Sequence, residues 1–285
     1  GETFVILTAG IDLSVGFVLV LSGVVAGEYY VHNGGANAGV GTIWVGVLIG
    51  LATGAGYGAL QGFMVAKLKI PPLIATLAGL GGAEGLSYLI TGGHDVATVP
   101  SKLASSIGQG TLFGVQWLII ISFLATLVFA LILAYTRFGR YTYAIGSNPE
   151  AARRVGINVD WYLILIYGLS GTLAGLGAIL ALAQFGTTTI AGQSLTNLNV
   201  IAAVVIGGTS IFGGQGSIFG TVVGLFIPAV LQAGFVIIGV EAFWQGVAVG
   251  TVLVAAVYVD QSRRAAALRG AKAPNPLLAM LKLKK

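Results

Sequence analysis

Cysteine is absent from the 285 residues, which excludes disulfides, thiolate metal sites and thiol chemistry. Charge is nearly as scarce. Asp, Glu, Lys and Arg make up 8% of the chain, against about a quarter in an ordinary soluble domain, so no water-facing surface of the usual kind can be built from it. The two histidines, His32 and His94, fall in polar, Gly-rich connections, where a solvated side chain is the ordinary state of a lone histidine. No lysine follows a glycine, so the loop G-x-x-x-x-G-K-[ST] that cradles nucleotide phosphates is missing. With no nucleophile–base pair or metal cluster inside the apolar runs, neither catalysis nor a cofactor is expected.

What is present is apolar. Hydrophobic residues make up 56% of the chain, and 45 glycines accompany them, the composition of membrane helices that approach closely through small residues. Helices need about 20 apolar residues to cross about 30 Å of hydrocarbon. Eight runs meet or approach that length: Leu13 to Tyr30, Ile43 to Met64, Leu73 to Thr91, Trp117 to Tyr135, Trp161 to Leu182, Leu198 to Phe212, Ile218 to Ile238 and Phe243 to Val259. None alternates as β-barrel strands do. The fold class expected is therefore an all-α, polytopic membrane bundle with eight complete spans and Gly-rich helix breaks.

Basic residues orient the path, because Lys and Arg near membrane segments stay on the cytoplasmic side. Of the 14, Lys67 and Lys69 follow the second run, Arg137, Arg140, Arg153 and Arg154 the fourth, and the rest, Lys102 excepted, the eighth. A single serpentine path places all but Lys102 inside, with the C-terminus. The positive balance thus marks topology and not a nucleic-acid surface. Residues 1–262 read as the membrane domain, with a cytoplasmic loop at 137–160, and residues 263–285 as a basic cytoplasmic tail. The chain opens at Gly1 on an apolar stretch that reads as the end of a segment, so a missing N-terminal region is expected.

Two stretches stand out within the runs. Gly10-Ile11-Asp12-Leu13-Ser14-Val15-Gly16 places a carboxylate among apolar residues. Asp12 has the type and position of an N-cap for the helix that follows, and acidic groups at membrane depth are also functional candidates. Gly214 and Gly220 repeat the six-residue glycine spacing, as though a second break mirrored the first, an arrangement that marks binding regions in transporters built from repeats. Glu84 and Glu241 are the other acidic residues of interest; Glu241, beside Trp244, reads as interfacial.

The connection after the fourth run carries every local signal of a short helix: Asn148 as N-cap, Pro149 first, Glu150 in the first turn, then Ala151, Ala152, Arg153 and Arg154, with Gly156 as left-handed stop. A helix so short must dock to be stable; Val155 and Ile157 suit a shallow groove on a partner, while arginines alone would suit lipid phosphates.

Three segments together resemble the permease subunits of bacterial ABC importers for monosaccharides of the ribose, xylose, arabinose and galactose type: Val5 to Gly16 (VILTAGIDLSVG), Ala144 to Ile157 (AIGSNPEAARRVGI) and Val205 to Ser217 (VIGGTSIFGGQGS). Ala9 stands where that family usually has Gly, which questions a strict backbone requirement there, and Glu2 where a neutral residue is common. The resemblance implies a ten-helix permease of the bacterial inner membrane, pairing with a second permease, identical or not. It further implies a cytoplasmic ABC ATPase docked on the Asn148 to Gly156 helix, and a periplasmic sugar-binding protein that delivers substrate.

A neutral sugar needs hydrogen-bonding side chains and not a counter-charge. Uncharged polar groups in or near the runs, which include Gln61 and Thr76, are candidates; the residues expected on the substrate path are Asp12 together with Ser14, Asn197 and Asn199. A branched-chain amino acid permease and an ion-coupled carrier are the other readings the residues allow.

Overall fold

The computed structural model describes residues 1–188, 190, 196–241 and 243–268. In chain order it contains α1 (Glu2–Leu7), α2 (Val15–His32), a 3-10 turn (Gly35–Asn37), α3 (Val40–Ala66), α4 (Pro72–Thr91), α5 (Ser101–Leu103) and a π turn (Ala104–Gly108). The short strands β1 (Thr111–Leu112) and β2 (Val115–Gln116) follow. Then come α6 (Trp117–Tyr135), α7 (Arg137–Ser147), α8 (Pro149–Arg154), α9 (Val159–Phe185), α10 (Thr196–Ile206), α11 (Ile218–Ile237) and α12 (Phe243–Leu268). The strands form an antiparallel hairpin pairing Thr111 with Gln116 and Leu112 with Val115.

Six of these helices, α2, α3, α4, α6, α9 and α11, are long and apolar enough to cross a membrane. Among the described residues, two of the eight expected runs do not meet this criterion. The sixth run forms α10, whose 11 residues reach only about 17 Å at 1.5 Å per residue, because Gly207 and Gly208 end it, the latter at φ 90°. The eighth lies in α12, whose apolar stretch among the described residues is Gly246–Val259. Residues 269–285 of the expected tail, with Arg269 and all four of its lysines, lie outside the described residues, while 263–268 continue α12.

The most extensive helix pair is α3 with α9, and glycine accounts for it. Gly50, Gly54, Gly58 and Gly62 recur every four residues on the buried side of α3, forming one stripe along the helix. A Cβ at Gly54 would collide with the Gly171 carbonyl, one at Gly58 with the Tyr167 carbonyl, and one at Gly171 with the Gly54 carbonyl. The backbones themselves are in contact. α2 packs onto this pair and onto α4, and is the most buried of the six long helices, whereas α6 is the least buried. On the other side, α10 packs with α11 and α12, and a second set of glycines allows it: a Cβ at Gly207 would meet the Gly220 carbonyl, and one at Gly224 the Ala203 carbonyl.

Between the two groups lies α1, every residue of which is buried. It contacts α7, α9 and α10, and Thr3 shares a 2.8 Å hydroxyl hydrogen bond with Thr221 of α11. Its Phe4, Val5 and Leu7 pack with Leu133, Ile166 and Tyr167.

Overpacking a close contact typically costs about 1–3 kcal/mol. Gly54→Ala and Gly58→Ala are therefore expected to lower the thermal unfolding midpoint in detergent clearly. Gly56→Ala on the same helix, where a Cβ meets nothing within 4 Å, is expected to leave it unchanged.

Candidate functional site

The break after α1 folds into a knot of buried polar groups. α1 stops at Leu7, and Ala9 turns the chain at φ 60°, the left-handed region that a side chain makes costly. The glycine usual in the resembling family meets a real backbone demand here, and Ala9 satisfies it under strain. At Gly10 a Cβ would stand 2.7 Å from the Tyr167 hydroxyl and force it to shift.

Asp12 does not serve as the N-cap of α2. That position is Ser14. Asp12 Oδ1 accepts from the Ser14 N–H at 2.8 Å and from the Ser14 hydroxyl at 2.6 Å, an Asx-type closure one step outside the helix. The Asp12 N–H donates to Glu2 Oε1 at 3.2 Å. Gln61 of α3 donates from Nε2 to Ser14 Oγ at 2.7 Å, and Thr76 Oγ1 of α4 lies 3.1 Å from the Ile11 carbonyl. The free N–H of Gly16, in the first turn of α2, is taken by Asn197 Oδ1 of α10 at 2.5 Å. Side chains from α1, α3, α4 and α10 thus meet polar groups that water cannot reach at a helix start in lipid.

Asp12, Ser14 and Asn197, three of the four residues expected on a substrate path, come together here. Asn199 does not: two residues further along α10 turns it to another side of the helix, half-buried and outside this network. Two participants come from elsewhere, Glu2 and Tyr167, both buried. Only the unusual carboxylate at position 2 hinted at the first. Glu2 Oε2, Gln61 Oε1 and the Tyr167 hydroxyl remain buried without a hydrogen-bond partner. Beside the knot, Glu2 also lines a cavity of about 320 Å³ with Thr3, Ser122, Thr126, Phe129 and Thr221.

The second candidate element is α8. It forms where the residues predicted it, with Asn148 Oδ1 accepting from the Ala151 N–H at 2.9 Å, Pro149 first and Gly156 at φ 87°. It docks on its own chain through Ala152, which packs with Ile145 and Val159, while half-buried Ile157 joins the same cluster. The expectation that Ile157 faces a partner is thereby corrected. Val155 remains 77% exposed, with Ala151 and Arg154 also outward.

Charge fixes the position of α8. Asp160 lies 3.0 Å from Lys69 and 3.4 Å from Lys67, in the α3–α4 connection, and 3.2 Å from Arg153, which also meets Glu150 at 2.6 Å. The Asp160 and Glu150 carboxylates hold the Arg153 guanidinium further above its ordinary pKa, so it stays charged at any working pH. Exposed pairs of this kind are worth about 0–1 kcal/mol each; their information is positional. The two basic connections lie at one end of the bundle, as a serpentine path requires. Among the described residues no group of His, Cys, Asp and Glu could hold a metal ion.

Residues 1–257 match the family described as branched-chain amino acid transport system / permease component. The chain is 38% identical over 270 residues to the ribose import permease protein of Escherichia coli K12, covering 93% of this chain and 81% of that one. It is 39% identical over 267 residues to the ribose import permease protein of Bacillus subtilis, covering 93% and 80%. To the fructose import permease protein of Rhizobium meliloti it is 35% identical over 267 residues, covering 91% and 72%. No solved structure matches.

Asp12→Asn keeps an acceptor for the Ser14 N–H and hydroxyl, whereas Asp12→Ala leaves both unpaired, a cost of about 1–3 kcal/mol per buried group. Thermal unfolding is expected to separate the two variants, with Asn near the parent and Ala clearly lower.

Proposed function

The chain belongs to the branched-chain amino acid transport system permease family, and from that premise we propose that it is the membrane permease of an ATP-driven importer for a monosaccharide. The family's name covers amino acid transport, but relatives that match this chain over most of its length are named for ribose and fructose import. The interior agrees with a neutral cargo. A zwitterionic amino acid presents a carboxylate that wants a cation, and among the described residues no Lys or Arg is buried.

The observation that carries the mechanism is the exposed, fully capped α8 on a chain that lacks a phosphate-cradling loop. Energy must then arrive through contact. We place an ABC ATPase against the Ala151, Arg154 and Val155 side of α8, at the cytoplasmic end where Lys67, Lys69 and Arg153 gather. A second permease copy, identical or related, completes the pore, and a periplasmic sugar-binding protein loads it. The complete permease has ten helices in the bacterial inner membrane, with a cytoplasmic C-terminus. Asp12, Ser14 and Asn197 stand at the break that rearranges during alternating access, and Asn199 lies beside it; because the knot is closed, sugar meets these groups only when it opens.

The test is uptake into liposomes by the full-length permease assembled with its ATPase and binding protein, using radiolabelled pentoses, hexoses and branched-chain amino acids. One sugar should enter, and only with ATP. Entry of a branched-chain amino acid instead, or sugar entry that needs an ion gradient and no ATPase, would overturn the proposal.

A further inference from the structure

The last turn of α7 joins the exposed helix to the interior of the bundle. Asn148 serves both elements: its N–H donates to the Ala144 carbonyl at 3.0 Å, closing α7, and its side chain caps α8. No slack residue separates the two helices.

Immediately before Asn148, the chain rests on both glycine breaks at once. Leu7 ends α1, so its carbonyl lacks a partner further along its own helix; it accepts from the Gly214 N–H at 2.9 Å. That bond ties the first break to the second. Gly146 sits directly on it, where a Cβ would collide with the Leu7 carbonyl and stand 2.6 Å from the Gly214 nitrogen. From the other side, a Cβ at Gly213 would lie 2.9 Å from the Gly146 carbonyl and 2.8 Å from the Ala9 nitrogen, and one at Gly214 would lie 3.1 Å from Ser147 Cα. One turn earlier on α7, the Tyr143 hydroxyl donates to the Gly216 carbonyl at 2.8 Å.

Those at Gly146, Gly213 and Gly214 are close backbone contacts and that of Tyr143 is a side-chain hydrogen bond to backbone, and packing this close transmits displacement with little loss. We propose that Gly146 and Tyr143 form a single joint through which movement of α8 reaches both helix breaks together. They are positioning residues: they touch neither ATP nor sugar, and they act on the Asp12–Ser14–Asn197 knot through the segments that hold it. The proposal rests on α8 being the ATPase contact. It adds that the two breaks are moved as one unit, because the Leu7–Gly214 bond spans them beneath Gly146.

The test uses the full-length permease with its ATPase and binding protein in liposomes, reading sugar moved per ATP hydrolysed. A nitroxide on Phe212→Cys, with any cysteine elsewhere in the complex replaced by serine, reports motion of the second break; these 285 residues contain no cysteine of their own. Gly146→Ala and Tyr143→Phe are expected to lower sugar per ATP about 2- to 30-fold, the range in which coupling contacts act, and to blunt the label's response to ATP. A residue that merely supports folding would lower uptake and hydrolysis in proportion and leave the ratio intact. An unchanged ratio with an unchanged label response would overturn the joint. Should Gly146→Ala fail to assemble, Tyr143→Phe, which removes one hydroxyl and no packing, decides by the same two readings. A parent complex whose label responds to ATP through Gly146 while no sugar enters would refute the transport reading and leave the joint standing.

Discussion

The close crossing of α3 and α9 is the contact on which the rest of the structure depends. In lipid, apolar side chains gain nothing by leaving hydrocarbon for a helix neighbour, so association must come from contact area and from backbones brought near one another. Gly50, Gly54, Gly58 and Gly62 allow that approach. The Gly171 and Tyr167 carbonyls on α9 occupy the space that side chains at Gly54 and Gly58 would fill. With this pair fixed, α2 has a surface to lie against, and Gln61, three residues beyond Gly58 on α3, is carried to Ser14. The polar knot is therefore a consequence of the glycine stripe.

The knot answers a problem that the membrane poses. A chain that breaks its helix at Thr8 to Ser14 exposes backbone donors and acceptors where no water compensates them. Several polar groups there are met from within: the Ser14 N–H by Asp12, the Asp12 N–H by Glu2 of α1, the Ile11 carbonyl by Thr76 of α4, the Ser14 hydroxyl by Gln61 of α3 and the Gly16 N–H by Asn197 of α10. The solution binds four helices to one short segment. Any movement of that segment is felt by all of them, which suits a site that opens and closes during transport.

Much of this was legible in the residues, and the reasons for the remainder are physical. Local chemistry predicted α8 because each of its signals acts within a few residues: Asn148 reaches Ala151, and Gly156 needs only its own backbone freedom. The membrane class followed from composition, and the common end of Lys67, Lys69 and Arg153 from charge. The partners of the break were not legible, because Gln61 reaches Ser14 across 47 residues and Asn197 reaches Gly16 across 181 by helix packing. For the same reason Asp12 was read as a helix cap, when Ser14 holds that place and Asn197 takes the Gly16 N–H. Hydropathy counted α10 as a span because it cannot register Gly207 and Gly208 turning the chain. The four-residue spacing from Gly50 to Gly62 was visible in the sequence, but its partner carbonyls were not.

If α3 and α9 form the fixed frame and the glycine breaks the moving part, joining the frame covalently should do no harm. Gly168 of α9 faces Ala59 of α3, and a Cβ at Gly168 would lie 3.6 Å from that of Ala59, within the range of a disulfide. The decisive measurement is ATP-driven uptake by the Ala59→Cys, Gly168→Cys permease before and after mild oxidation. The account predicts nearly complete cross-linking with uptake retained. A pair that fails to cross-link, or uptake that stops when it does, would contradict it.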